Sequence, residues 1–128
     1  MSATFDTSNV EKLSASLASA SSRLPALARA VVTKGALNVK NEARDNVSDH
    51  PTWKRLAHTI NYDLQGNAFY SQATVGYDDE GQGELAGIAE FGSARHAPHP
   101  ALIPAFRNES PRFEKAMGDI AAKVAGSL

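Results

Sequence analysis

The side chains best suited to chemistry lie in one segment, where Glu90 is followed by His96 and His99. A carboxylate and two imidazoles are ligand types that zinc accepts, so a small metal-dependent hydrolase is one interpretation. However, Pro98 and Pro100 interrupt the segment, and a loop of this kind does not place residues three apart on one face as a helix would. The chain also has no cysteine and no His-Glu-x-x-His sequence. The residues therefore predict no bound metal, and the histidines are expected to be polar residues of an exposed loop.

Two other kinds of site lack the sequence that they usually require. Ser93 follows Gly92 but does not lie in the Gly-x-Ser-x-Gly turn that presents a nucleophilic serine. Gly81 and Gly83 lie among acidic residues, which would repel a phosphate group. The sequence therefore predicts a protein that is not an enzyme and that binds no cofactor.

Charge is distributed unevenly along the chain, although the net charge at pH 7 is only −1. Residues 56–92 contain six acidic residues and no lysine or arginine, whereas residues 1–55 contain eight basic residues and five acidic ones. This polarity favours head-to-tail association of identical subunits, because the basic face of one can meet the acidic face of the next. Two alternatives remain: separate solvated surfaces without a partner, and a nucleic-acid-binding module that uses the basic N-terminal helices.

The N-terminal part of the chain has helical periodicity. Apolar residues recur at intervals of three and four from Val10 to Val31, which predicts a helix. Pro25 would remove one backbone hydrogen bond, so we expect a break near residues 21–24 and a second helix that continues to about Asn46. Gly35 would allow a close neighbour.

The middle of the chain alternates apolar and polar residues, which predicts three strands in an antiparallel meander. The first is expected at Thr59–Leu64 and the second at Ala68–Tyr77, with a turn at residues 65–67. The third is expected at Leu85–Phe91. The acidic residues 78–84 between the last two strands are expected to form a mobile loop.

Helical sequence returns at Pro104, with a second start at Ser110–Pro111, and ends near Gly126. The order α-α-β-β-β-α predicts an α+β fold, in which N-terminal helices and a C-terminal helix pack on a small antiparallel sheet. Residues 1–128 are expected to form a single domain. No basic and apolar leader and no run of roughly 18 apolar residues is present, which predicts a soluble protein, cytoplasmic when made.

Structural roles are also expected within the segment that carries the histidines. Phe91 is predicted to fill the core, so Phe91→Ala would lower the free energy of unfolding by about 3–5 kcal/mol. Gly92 is predicted to form a backbone turn that a side chain would obstruct. Pro100 and Pro104 are expected to fix the direction in which the last helix departs.

The stretch from Ala86 to Phe106 resembles the signature E-F-G-T … P-F-L-x-P-A of one phage family. That family comprises the neck, tail-component or tail-completion proteins of long-tailed phages. Ser93 stands for the usual threonine and Ala101 for the usual aromatic residue. The residues that match the signature are Glu90, Phe91, Gly92, Pro100, Leu102, Pro104 and Ala105.

The resemblance implies a structural virion protein of the head-tail junction, whose subunits form a hexameric or dodecameric ring. The ring would complete the tail or join it to the head connector, and DNA would pass through its lumen without specific binding. Implied partners are further copies of the chain and the neighbouring head-connector and tail-tube proteins, with no membrane. The implied location is the host cytoplasm during assembly and then the virion. Candidate subunit contacts, chosen for charge and position, are Asp78, Asp79, Glu80, Glu84, Arg95 and His96.

Overall fold

The computed structural model describes residues 7–67, 70–78 and 85–126, apart from the side chains of residues 7–10, 13 and 21. The chain mixes helices with an antiparallel sheet, as the sequence predicted, but within these residues the sheet has two strands rather than three. In chain order the elements are helix α1 (Thr7–Ser48), a 3₁₀ helix (Lys54–Thr59), strands β1 (Ile60–Gly66) and β2 (Ser71–Tyr77), and helices α2 (Ala86–Phe91) and α3 (Leu102–Gly126).

Helix α1 is a single element of 42 residues, about 63 Å long at 1.5 Å per residue. The predicted break near residues 21–24 is wrong, because the apolar spacing continues in phase across Pro25, from Leu24 through Leu27 to Val31. A proline in a helix removes one backbone hydrogen bond, and the turns on either side still form. Despite this length, no helix in the described part of the chain is apolar enough over a sufficient stretch to cross a membrane.

The main core lies where the C-terminal half of α1 meets the sheet and the start of α3. The two long helices run antiparallel, since Asn46 contacts Ala101 at one end while Asn38 contacts Glu109 further along. At Gly35 an added Cβ would lie 3.2 Å from the Phe113 ring, which confirms the expected close neighbour. The buried core residues are Ala36, Val39, Ala43 and Val47 of α1, Ile60 and Val75 of the strands, and Ala101 and Ala105.

Strands β1 and β2 pair antiparallel, with Ile60 opposite Tyr77 and Tyr62 opposite Val75. The first two predicted strands are therefore confirmed. The connection lies later than predicted, because residues 65 and 66 belong to β1 and the N–H of Asn67 donates to the Tyr70 carbonyl at 2.9 Å. A two-stranded sheet is marginal by itself, so the packing of its apolar face against α1 stabilises it.

The predicted third strand at Leu85–Phe91 is wrong, because residues 86–91 form helix α2. A short apolar run does not distinguish a strand from a buried helix. This one contains two alanines and a single β-branched residue, Ile88, a composition that favours a helix over a strand. The helix ends at Gly92, whose φ is +78° and whose N–H donates to the Ile88 carbonyl at 2.8 Å.

The predicted C-terminal helix is confirmed, because α3 ends at Gly126 and begins at Leu102, two residues before the predicted start at Pro104. The helix is continuous, so the predicted second start at Ser110–Pro111 is wrong. Pro104 lies in the first turn, where a backbone N–H would have no intrahelical partner in any case. Pro111 removes one interior hydrogen bond without ending the helix.

Candidate functional site

Glu90 caps helix α3 from a different helix. Its side chain is buried near the end of α2, and its Oε1 accepts hydrogen bonds from the backbone N–H groups of Ala101 and Leu102, both at 2.6 Å. The first N–H groups of a helix lack partners within the helix, and negative charge near them is favourable. The hydroxyl of Tyr77 donates to the same oxygen at 3.3 Å. Glu90 therefore joins α2, β2 and the start of α3 at a single carboxylate.

The turn after α2 requires glycine at position 92. A Cβ at Gly92 would lie 2.9 Å from the ring nitrogen and Cδ of Pro98 and 3.0 Å from the His96 carbonyl oxygen, and its φ of +78° favours glycine. The predicted role of Gly92 is confirmed. Ser93 stabilises the turn, because its N–H donates to the His96 carbonyl at 2.8 Å and its Oγ accepts the N–H groups of Arg95 and His96. The hydroxyl of Ser93 is thus a structural acceptor.

The loop between α2 and α3 is fastened to the end of α1. The N–H of His99 donates to the Ala89 carbonyl at 2.7 Å, and His99 Nε2 lies 2.8 Å from the Asn46 carbonyl oxygen. Because a carbonyl only accepts, Nε2 carries the proton. Asn46 Nδ2 donates in turn to the Ala101 carbonyl at 3.0 Å. The expectation that the histidines are merely exposed loop residues is therefore wrong for His99, which is half-buried.

Four rings pack against one another at this loop, and two of them belong to it. The His50 ring lies 4.5 Å from that of His99 and 6.1 Å from that of Trp53, and the His96 ring meets Trp53 edge-on at 5.5 Å between centroids. His50 Nδ1 accepts the backbone N–H groups of Thr52 and Trp53, both at 3.1 Å. The imidazoles thus have packing and hydrogen-bonding roles.

The described residues include no group of three or more histidine, aspartate and glutamate side chains arranged to hold a metal ion. Of the proposed zinc ligands, Glu90 accepts the α3 N–H groups, His99 contacts Asn46 and His96 packs on Trp53. The hydrolase interpretation therefore gains no support from the geometry.

The signature residues converge on one structural unit. Glu90 caps the helix that begins at Leu102, Gly92 makes the preceding turn, and Ala105 is fully buried one turn into the helix. No protein-family model, curated protein or solved structure matches this chain.

Phe91 belongs to the signature but is not packed into this structural unit, because 74% of its surface is exposed. The prediction that it fills the core is wrong, and the large loss of stability expected from Phe91→Ala loses its basis. Ala89 and Glu90 are buried on one side of helix α2, and the side chain of Phe91, the next residue, points away from that side. Phe91 instead lines an open cleft of about 210 Å³, together with Tyr77, Ala86, Gly87, Glu90, Leu102 and Ile103.

The predicted subunit contacts that the structure describes lie in two separate places. Asp78 follows β2, where its N–H donates to the Thr59 carbonyl and its Oδ2 accepts from Asn61 Nδ2, both at 2.7 Å. Arg95 and His96 are exposed in the loop before α3. Within the described ranges, no hydrogen bond or ion pair joins Asp78 to either of them. The remaining candidates, Asp79, Glu80 and Glu84, lie outside the described residues, as does most of the predicted acidic loop.

The ionisation of Tyr77 changes on folding. Burial, the negative charge of Glu90 and the hydrogen bond to Glu90 all raise the pKa of the Tyr77 hydroxyl above its ordinary value of 10.0. The folded protein therefore holds this proton more tightly than the unfolded chain does. The resulting stabilisation is fully present below pH 10 and is lost as the pH rises from there towards the folded pKa.

We expect the free energy of unfolding to fall above pH 10 more steeply for the natural protein than for Tyr77→Phe. The variant retains Tyr62 and Tyr70, so the difference between the two proteins isolates the hydroxyl of Tyr77. Urea denaturation on either side of pH 10 measures it. Parallel pH profiles for the two proteins would contradict the assignment.

Proposed function

We propose that this protein is a structural component of a tailed phage or prophage virion, in which identical subunits form a ring at the head-tail junction. The ring completes the tail or joins it to the head connector. The observation that carries the proposal is that neighbouring residues of the signature segment differ in exposure and in contacts. Glu90 and Gly92 hold the chain together internally, whereas Phe91 between them is turned to solvent. An exposed aromatic residue at a rigid site suits a contact with another protein.

Further large apolar side chains are exposed in the described part of the chain. Aromatic residues are enriched at protein interfaces, and three of the exposed side chains are aromatic. A virion role of this kind requires neither a cofactor nor a chemical step. Besides Phe91, the exposed residues are Leu17, Leu24, Tyr70, Leu85, Ile103 and Phe106.

The charge distribution adds support for a ring through which DNA passes. Residues 56–92 carry six acidic residues and no lysine or arginine. An acidic surface at a lumen keeps DNA from adhering, and at a subunit joint it attracts the basic part of a neighbour. The partners proposed are therefore further copies of this chain and the adjoining head-connector and tail-tube proteins.

Deletion of the gene from the phage or prophage that encodes it tests this role. We expect filled heads and separate tails in place of joined particles, and a plasmid copy of the gene should restore joining. In complemented particles, electron microscopy with an antibody label should find the protein between head and tail. Normal infectious yield without the gene, or a label at another part of the virion, would refute the proposal.

A further inference from the structure

We infer that helix α3 ends in a segment that opens from α1 as one unit while the rest of the fold stays intact. This segment comprises residues 112–126, which we call the α3 tail, and its hinge lies at Pro111 inside the helix. Opening uncovers Gly35 of α1, where Phe113 of the tail packs closely in the closed form. The inference goes beyond the proposed virion role, because it concerns the free subunit.

The α3 tail is less buried than the part of α3 that precedes it. The buried residues of α3 are Ala105 and Glu109, and none of residues 110–126 is buried. The residues that α1 gives to the main core cluster begin only at Ala36, so the α1 residues that precede it lie outside that cluster. A segment with few buried apolar contacts opens at a lower free energy than the core does. The tail is therefore held less firmly than the first turns of the same helix.

Pro111 weakens the backbone at the boundary between these two parts of α3. Proline has no N–H, so the carbonyl of Arg107, four residues earlier, accepts no helical hydrogen bond from position 111. Gly118 weakens the tail itself, because glycine is a poor helix former and no packing contact there compensates for it. An isolated helix of no more than about 15 residues is marginal in water. Once released at the hinge, the tail is therefore expected to lose its helix as a whole.

The first turn of the α3 tail is loosely held. Arg112 Nε lies 3.1 Å from Glu109 Oε2, and Arg112 Nη2 lies 4.0 Å from Glu42 Oε2 of α1. The Arg112 side chain is 63% exposed, and ion pairs of exposed side chains contribute little to stability. Two open clefts, of about 220 and 340 Å³, have Gly35 and Phe113 in their linings. The contact between α1 and the tail is thus narrow at this level, which favours opening.

Native-state hydrogen exchange of the full chain, followed by NMR at each amide, tests the inference. We expect the amides of residues 113–124 to share one opening constant, larger than that of residues 106–110. Fraying from the C-terminus would instead give protection that rises gradually from residue 124 to residue 113. Opening of the whole helix would give equal protection on both sides of Pro111. Either of these two patterns would overturn the inference.

Gly118→Ala tests whether the tail opens as one unit. We expect the opening constant to fall by about fivefold at every amide of residues 113–124, since alanine is the better helix former. Gly87→Ala is the matched control, because an added Cβ meets no atom within 4 Å at either glycine and Gly87 lies in α2. It should leave exchange of the tail unchanged. A response to Gly118→Ala that is confined to part of the tail would contradict a single opening unit.

Pro111→Ala tests the hinge. The substitution supplies the missing N–H to the Arg107 carbonyl, so we expect the opening constant of the tail to fall at least about tenfold. Pro104→Ala is the control, because Pro104 lies in the first turn of α3, where an N–H has no intrahelical partner. It should leave exchange of residues 113–124 unchanged. Equal effects of the two substitutions on these amides would show that Pro111 is not the hinge.

Discussion

Trp53→Ala is expected to lower the free energy of unfolding by about 3–5 kcal/mol, the usual loss when a buried aromatic side chain is truncated. Trp53 is only 5% exposed, and it packs with Leu56 and Ala89 in a second buried cluster. Its ring also supports the edge of His96 in the loop above. Truncation would leave a cavity at the junction of the 3₁₀ helix, α2 and this loop. Urea denaturation, followed by circular dichroism, measures the loss.

Phe91→Ala is the matched control, because it removes an aromatic side chain of similar size from an exposed position. A surface substitution of this kind usually changes stability by no more than about 0.5 kcal/mol. Equal losses from Trp53→Ala and Phe91→Ala, or a larger loss from Phe91→Ala, would contradict the burial of the two rings described above.

Glu90→Ala is expected to lower the free energy of unfolding by about 2–5 kcal/mol, for a different reason. The substitution leaves the N–H groups of Ala101 and Leu102 without their acceptor at 2.6 Å, and Ala101 is fully buried. A buried donor without a partner costs about 1–3 kcal/mol. The favourable interaction of the carboxylate with the helix terminus is lost as well. Thermal and urea denaturation of the purified variant measure the loss.

Two further variants separate the cap from a general effect of losing a glutamate. Glu90→Gln retains a side-chain oxygen that can accept both N–H groups, so we expect an intermediate loss, since hydrogen bonds to a charged acceptor are stronger. Glu114→Ala, on the exposed side of α3, should change stability little. If Glu90→Ala proved as stable as Glu114→Ala, the cap would not contribute to folding.

The parts of the fold that the sequence predicted are those that repeat a local pattern. The apolar spacing of α1 and the alternation in β1 and β2 recur over several turns or residue pairs, so each pattern identifies its element. Helix α2 is too short for such repetition, and its apolar run is compatible with either kind of element. The breaks predicted near Pro25 and at Pro111 were wrong, because the loss of one hydrogen bond does not outweigh the packing of a long helix.

The candidate site was only partly predictable, because its contacts join distant residues. Gly92 was identified through the local chemistry of a turn. The cap by Glu90 lies outside the usual helix-start patterns, since the acceptor comes from another helix eleven residues before the N–H of Ala101. Asn46 contacts the loop across 55 residues, and no sequence feature marks it as an anchor. Whether Phe91 is buried depends on whether its segment is a strand or a helix. Because the segment was predicted to be a strand, Phe91 was wrongly predicted to lie in the core.

The antiparallel pairing of α1 with α3 also constrains when a newly made chain can fold. Asn38 contacts Glu109 across 71 residues, and Glu42 contacts Asn108 across 66. During synthesis α1 leaves the ribosome first, and the two-stranded hairpin alone cannot complete the core that Ala101 and Ala105 close. A chain terminated before α3 therefore lacks Ala105 of the main core and the Ile103 side of the cleft that Phe91 lines. A truncated product therefore cannot acquire the native fold, because the last helix to be translated both completes the main core and forms one wall of that cleft.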